Sequence, residues 1–395
     1  MGPVYMISRK VLPIIFLMGL VSLFADITYE GARGIIPTYL TIILGAPVAV
    51  LGIVTGVGDF IGYGFRLVSG KLADATRRYW TMTFIGYFVN LLAIPLLAFA
   101  GDWQLASMLI ILERLGKAVR TPSRDFIISV AAKDMGRGKA FGIHEALDQV
   151  GAVAGPLIAS LILLRYNNYG LAFLSFSIPA ILAMLILYAT YKLYGMYEIS
   201  RTRSERAVST GLGRTYWLYV GSVTSSTAGF MHVAFILYRS YGLFADWFIP
   251  LLYLLAQAID AFSGLFFGAF YDRFGLKVVA FSFPLTALIP IVAFHQTQHT
   301  LIGSALLFGV VLGLQETIQR AAVADLTGVE VRGSAYGIFN AAYGLAWLAG
   351  GSLVGVLYEL NFSLIIIYSI LLQVVASLLI ASTIKSTSGM EKVVQ

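Results

Sequence analysis

A chain of 395 residues with 12% charged and 58% apolar positions, and a mean hydropathy of +0.83, cannot present the solvated surface of a soluble domain, which carries about 25% charge. Lipid must be the solvent for much of it. The absence of cysteine excludes disulfides, thiolate metal sites and a cysteine nucleophile, and the net charge of +7 is spread along the chain rather than gathered on a nucleic-acid-binding face.

Arg9 and Lys10 precede an apolar run from Val11 to Ala25, the pattern of a signal peptide. No small-x-small cleavage site follows and the helical pattern continues, so the run is expected to be a retained first span. A spanning helix needs about 20 apolar residues. Such runs fall at about 11–42, 48–72, 80–100, 103–123, 138–164, 168–192, 215–241, 246–270, 278–296, 300–323, 333–358 and 362–384. The chain therefore reads as an all-α membrane protein with twelve spans. A polar stretch at the midpoint, with Arg201, Arg203, Arg206 and Arg214, divides it into residues 1–192, a cytoplasmic linker 193–214, and residues 215–395.

With the N-terminus inside, 21 of the 27 Lys and Arg residues fall at cytoplasmic ends or loops. Four fall within spans (Arg33, Arg66, Arg114, Lys117) and two outside (Arg165, Arg239). That skew follows the positive-inside rule and places both termini in the cytoplasm, with the plasma membrane as the expected location and a monomer as the expected state.

The halves repeat. Gly70-Lys-Leu-Ala-Asp74 and Gly268-Ala-Phe-Tyr-Asp272 are 198 positions apart. Arg137-Gly-Lys-Ala-Phe-Gly142 and Arg332-Gly-Ser-Ala-Tyr-Gly337 are 195 apart. Two matches at nearly one spacing argue for a duplicated six-helix unit, and hence two six-helix bundles related by a pseudo-two-fold axis.

These loops resemble the signature of the major facilitator superfamily, Gly-x-x-x-Asp-Arg/Lys-x-Gly-x-Arg/Lys. The second copy has Gly268, Asp272, Arg273, Gly275 and Lys277. The first has Gly70, Asp74, Arg77 and Arg78, but Ala75 stands where a base is expected and the second glycine is missing. In the fifth span, Gly142-x8-Gly151-x3-Gly155-Pro156 is similar to the pattern of proton-coupled antiporters in that superfamily, although Ala159-Ser160 replaces its closing Gly-Gly. Arg114 resembles the antiporters' arginine motif loosely, with shifted glycine spacing. The resemblance implies a transporter, not an enzyme, working without cofactor or metal on a small-molecule substrate and protons.

Physical reasons stand beside these patterns. Asp74 can face a helix N-terminus, where the helix dipole favours an anion, and Arg77 or Arg78 can pair with Asp125 to close a cytoplasmic gate. The plain alternative is a solvated loop with topogenic charge. Glycines at 142, 151 and 155 allow a neighbouring helix to approach closely, as do Gly52/Gly56, Gly58/Gly62 and Gly264/Gly268. Gly56-Val-Gly58 with Gly62 has the wrong spacing for a dinucleotide fold and follows no strand; His144-Glu145 lacks the second histidine of a zinc-protease helix. His295 and His299 read as solvated.

Ionisable residues inside spans each cost about 2.5–3.5 kcal/mol at the bilayer centre on insertion scales, so they mark function. Asp26, Glu30 and Arg33 share a face of the first span; Asp59 and Arg66 lie in the second, Glu113, Arg114 and Lys117 in the fourth, and His144, Glu145 and Asp148 in the fifth. Six acids thus stand against four bases. A carboxylate in low dielectric without a cation takes up a proton, so Asp26, with Asp148 or Glu30, is expected to carry protons, with Arg114 and Glu113 beside them. The alternative is a fully paired structural network. The second half offers Thr224 at the repeat position of Asp26, then Asp260 and Glu316, and an aromatic stripe of Tyr336, Phe339, Tyr343 and Trp347 with Asn340. A charged wall opposite an aromatic wall suits an amphiphilic or cationic molecule, or an organic anion held by Arg33, Arg114 and Lys117. The favoured expectation is drug-like export by proton antiport through alternating access. Proton-coupled uptake of an organic anion is the runner-up, and a non-transporting receptor with the same fold is the third reading.

Overall fold

The computed structural model describes residues 4–132, 137–194, 212–328 and 331–394, with side chains for all of these except 4–12, 137–139, 320 and 388–394. Most of the expected linker, residues 195–211, lies outside the described residues.

Twelve long helical segments follow one another among the described residues. They are α1 (Val4–Arg33), α2 (Val48–Thr76), α3 (Tyr79–Phe99), α4 (Trp103–Ala131), α5 (Arg137–Tyr166), α6 (Tyr169–Tyr194), α7 (Arg214–Ser240), α8 (Asp246–Phe274), α9 (Leu276–Phe294), α10 (Gln298–Asp325), α11 (Arg332–Leu360) and α12 (Phe362–Val394). Among the described residues, eleven are long and apolar enough to cross a membrane. The exception is α4, whose Glu113, Arg114, Lys117, Arg120, Arg124 and Asp125 lower its hydropathy.

Local chemistry sets the helix ends. Asp102 and Asn168 are N-caps, accepting hydrogen bonds from the amides of Leu105 (2.7 Å) and Leu171 (2.8 Å). Thr297 and Thr300 form a reciprocal capping box at α10. α7 is interrupted after Ala228 and resumes at Val233. His232 caps the resumed helix, its Nδ1 accepting from the Ala234 amide at 3.1 Å, and Gln373 donates to the Ser226 carbonyl at 2.9 Å just before the break. Arg239 is not the exposed outer charge its position suggests. It is buried and donates to the last carbonyls of α9, Ala293 and Phe294, at 3.2 and 3.1 Å, and to the Gln296 side chain at 3.1 Å.

The chain folds into two compact units. The first holds Met1–Gly45, Phe65–Arg203 and Asp246–Leu254; the second holds Ala46–Gly64, Ser204–Ala245 and Leu255–Gln395. Each unit therefore includes one end of a helix from the other sequence half. In the first, the start of α8 joins α1 and α6: Tyr253 donates to Glu30 at 2.5 Å, and Tyr169 to Asp246 at 3.0 Å. In the second, the start of α2 lies on α11. A Cβ on Gly52 would overlap the Gly351 carbonyl, and one on Gly56 would stand 2.9 Å from that of Trp347.

Close glycine packing also joins α1 to α5, where a Cβ on Gly151 would overlap Leu23 O and one on Gly155 would meet Ile27 O at 2.5 Å. Two expectations of this kind need correction. Around Gly142 and around Gly62 there is nothing within 4 Å of an added Cβ, so no helix packs closely on either.

Candidate functional site: a buried charge cluster

The first unit gathers charges from α1, α4 and α5 around one ring. Tyr29 on α1 is buried. Lys117 Nζ lies 4.1 Å from its centroid, and the guanidinium carbons of Arg33 and Arg120 lie at 4.8 and 5.7 Å. Such cation–π contacts stabilise most when desolvated. The Tyr29 hydroxyl donates to Asp26, one turn earlier.

The acids fall into two groups. Glu30 pairs with Arg33, has Lys117 Nζ at 3.7 Å, and accepts from Tyr253. Glu113 has Arg114 at 3.5 Å, Arg33 at 3.8 Å and a 2.8 Å hydrogen bond from Asn90. Both carboxylates are closed in by cations and donors. Asp26 is buried with the Tyr29 hydroxyl as its bond. Asp148 on α5 has one oxygen 3.6 Å from His144 Nε2 and 3.9 Å from Arg124 Nη1, while its Oδ1 has no hydrogen-bond partner. Asp26 and Asp148 are thus the less compensated acids.

A polar chain runs beside them. Ser22 on α1 contacts the Tyr87 hydroxyl at 3.0 Å and His144 Nε2 at 3.2 Å, and accepts from Arg124 at 3.1 Å. Arg120 is fully buried; its guanidinium carbon lies 4.2 Å from the Tyr87 centroid, and none of its three side-chain nitrogens has a hydrogen-bond partner.

Arg120 and Arg124 are the residues that sequence reasoning misses, since both look like topogenic charge at a span end. The available signal is spacing: Glu113, Lys117, Arg120 and Arg124 recur at four, three and four, one face of a helix. They also correct the charge count. Glu145 is exposed, and Asp59 belongs to the second unit. That leaves Asp26, Glu30, Glu113, Asp148 and the Arg124-bound Asp125 facing Arg33, Arg114, Lys117, Arg120 and Arg124. Five acids meet five bases, so the acid excess disappears.

In the second unit, Asp59 lies 3.7 Å from His232 Nε2, and His232 packs edge-on against Trp347 at 5.6 Å. Tyr343 stacks on Phe339 and donates to Gln315 at 3.2 Å. Asp260 is buried, Thr224 and Asn340 are half-buried, and Glu316 is exposed. Among the described residues, no group of three His, Asp or Glu converges as a metal site.

At the end of α2, Gly70, Asp74, Tyr79, Pro122, Asp125 and Phe126 line a cavity of about 410 Å³. Tyr79 donates to Asp74 at 2.9 Å. The expected pairing of Arg77 or Arg78 with Asp125 is not formed. Asp125 instead takes its adjacent neighbour Arg124, at 2.8 Å, while Arg77 and Arg78 are exposed. Asp272, Arg273 and Lys277 in the second copy are likewise exposed, and Gly268 and Gly275 are half-buried.

The sequence profile of the Major Facilitator Superfamily matches residues 17–350 and 218–389. The chain belongs to the major facilitator superfamily. It is accordingly a multi-pass membrane transporter of small molecules, not an enzyme. Among relatives, an uncharacterized protein of Mycobacterium tuberculosis is 38% identical over 372 residues, 91% of this chain and 90% of its own. An uncharacterized MFS-type transporter of Methanocaldococcus jannaschii is 27% identical, covering 94% and 95%. The multidrug resistance protein MdtH of Photorhabdus laumondii is 25% identical over 46% of this chain and 44% of its own. Among solved structures, the peptide transporter POT has a TM-score of 0.75 at 14% identity, covering 93% of both chains. The nucleoside transporter NupG also has 0.75 at 14%, covering 94% and 99%. Those two likenesses concern the superfamily fold alone.

Proposed function

We propose that the protein is a proton-coupled secondary active transporter that works by alternating access and exports a small amphiphilic molecule in exchange for protons. The observation that carries this reading is the contrast among the buried acids. Glu30 and Glu113 are neutralised in place, while Asp26 is buried with a tyrosine hydroxyl as its bond. A buried carboxylate that makes no ion pair, as Asp26, or that keeps one oxygen without a donor, as Asp148, is relieved by binding a proton. Asp26 and Asp148 are the carriers; Glu30 and Glu113, with Arg114, hold α1 and α4 together. Protonation then favours one access state over the other, because a ligand shifts only the equilibrium it binds unequally.

Exchange, rather than co-transport, is supported by the fifth-helix glycines. A Cβ on Gly151 would stand 2.8 Å from Asp26 Cβ, so the antiporter-like pattern sits directly behind the proposed carrier. The relative named a multidrug resistance protein points the same way. The buried guanidinium of Arg120, which lacks an acceptor, favours a second reading, uptake of an organic anion with protons. Cytoplasmic termini are proposed from the distribution of Lys and Arg, which keeps its sign without Arg120 and Arg124; a plasma-membrane monomer is proposed with them.

Proteoliposomes with a trapped pH dye decide among these. Under antiport, ethidium or benzoate leaving the vesicle drives protons inward, and Asp26→Asn abolishes gradient-driven accumulation while exchange persists. Uptake with protons moves both species together. Binding with no flux would make the protein a receptor.

A further inference from the structure

Arg120 has the most unusual environment in the first unit. Its side chain has no solvent exposure, and Nε, Nη1 and Nη2 all lack acceptors. Arginine does not shed its proton, so burial without an acceptor is costly and neutralisation cannot relieve it. The nearest uncommitted acid, Asp26, accepts from the Tyr29 hydroxyl and takes no hydrogen bond from Arg120; the others face different bases. Glu30 faces Arg33 and Lys117, Glu113 faces Arg114 and Arg33, and Arg124 faces Asp125 and Asp148. Arg33, the other guanidinium at the Tyr29 ring, also has buried Nε and Nη2 without hydrogen-bond partners. Arg33 Nη2 still has Glu113 at 3.8 Å, so four guanidinium nitrogens around one tyrosine are unmatched donors.

Their arrangement selects a chemistry. Arg120 lies over the Tyr87 ring at 4.2 Å, and all three of its side-chain nitrogens keep their N–H groups for a partner. The guanidinium fork matches the oxygens of a carboxylate or phosphate. We propose that Arg120, with Arg33, is an anion-binding site, and that the transported molecule carries a carboxylate or phosphate group that docks there beside Tyr29 and Tyr87. The site names the substrate class of the transporter reading and rests on it. The anion supplies the acceptors that the resting cluster lacks.

The test is thermal unfolding of the full chain in non-ionic detergent with benzoate or inorganic phosphate, and with benzamide as the uncharged match to benzoate. Wild type, Arg120→Gln, Arg120→Lys and the surface variant Arg77→Gln are compared. The expected result is a concentration-dependent rise in unfolding temperature with at least one anion and none with benzamide. Arg120→Lys, which keeps the charge but loses the fork, should weaken the apparent affinity at least tenfold, and Arg77→Gln should leave it unchanged. If Arg120→Gln does not fold, Arg120→Lys carries the comparison. The proposal is overturned if neither anion shifts wild type, if benzamide shifts it as much as benzoate, or if folded Arg120→Lys responds like wild type. Restoration of Arg120→Gln stability by Asp26→Asn, with no anion response in wild type, would make Arg120 a counter-charge to Asp26 instead. Proton-coupled flux of ethidium in vesicles without any anion response would sink this site and leave the transporter reading intact.

Discussion

Arg77 and Gly275, 198 positions apart, close the same turn in the two halves. Arg77 has φ 56° and donates its amide to Ala73 O at 2.8 Å; Gly275 has φ 55° and donates to Tyr271 O at 2.7 Å. The first copy of the loop signature lacks the glycine but keeps the positive φ and the closing hydrogen bond. A non-glycine residue in the left-handed region is strained by roughly 1–2 kcal/mol. Arg77→Gly should therefore stabilise the protein by about 1 kcal/mol, and Gly275→Ala should destabilise it by about 1–3 kcal/mol. Thermal unfolding of the two variants in detergent checks both signs; a stabilised Gly275→Ala would contradict the account.

The glycines of α5 should separate by position. Gly151→Ala and Gly155→Ala push a methyl into backbone carbonyls of α1 and should each cost about 1–3 kcal/mol. Gly142→Ala meets open space and should stay within about 0.5 kcal/mol of wild type. Equal effects at all three positions would rule out packing as their role.

Breaking the paired acids should act on folding before coupling. Glu30→Ala leaves Arg33 and Lys117 without their shared carboxylate, a change that typically costs about 3–5 kcal/mol. Expression and unfolding temperature should fall together. Asp26→Asn keeps the contact with Tyr29 and should leave the unfolding temperature close to wild type while abolishing proton-driven accumulation. The reverse ranking would exchange the structural and coupling roles of the two acids.

Arg239 holds the end of α9. Replacing it by Ala removes bonds to the Ala293 and Phe294 carbonyls and to Gln296; hydrogen bonds to charged groups are worth about 1.5–3 kcal/mol. The expected loss is about 2 kcal/mol. Hydrogen exchange should show it first at the α9–α10 turn.

The helices and the repeat are legible in the sequence because a membrane leaves a long, simple signal: some twenty apolar residues, then a polar break. The cluster is legible only in part. Asp26, Glu30, Arg33, Glu113, Arg114, Lys117, His144 and Asp148 stand out as charges or imidazole within apolar runs. Arg120 and Arg124 do not, since hydropathy fades there and a basic residue at a fading end looks like an anchor. Tyr29, Tyr87 and Tyr253 are hidden for another reason: one tyrosine among 22 carries no mark of its hydroxyl partner. The expected pairing of Asp125 fails because a motif-based partner competes with the nearest neighbour, Arg124, and the neighbour is closer.

The charge load of α4 bears on how the chain is made. A helix with Glu113, Arg114, Lys117, Arg120 and Arg124 on it does not partition alone from the insertion machinery into lipid. Its partner is the preceding helix. A Cβ on Gly116 would overlap the Asn90 amide and one on Gly86 would stand 2.6 Å from that of Arg120, while Asn90 holds Glu113. Biogenesis then requires α3 and α4 to leave the translocon as a hairpin, its polar seam already zipped. Bulk at Gly86 or Gly116 would strand the newly made chain at the membrane before any transport could be assayed.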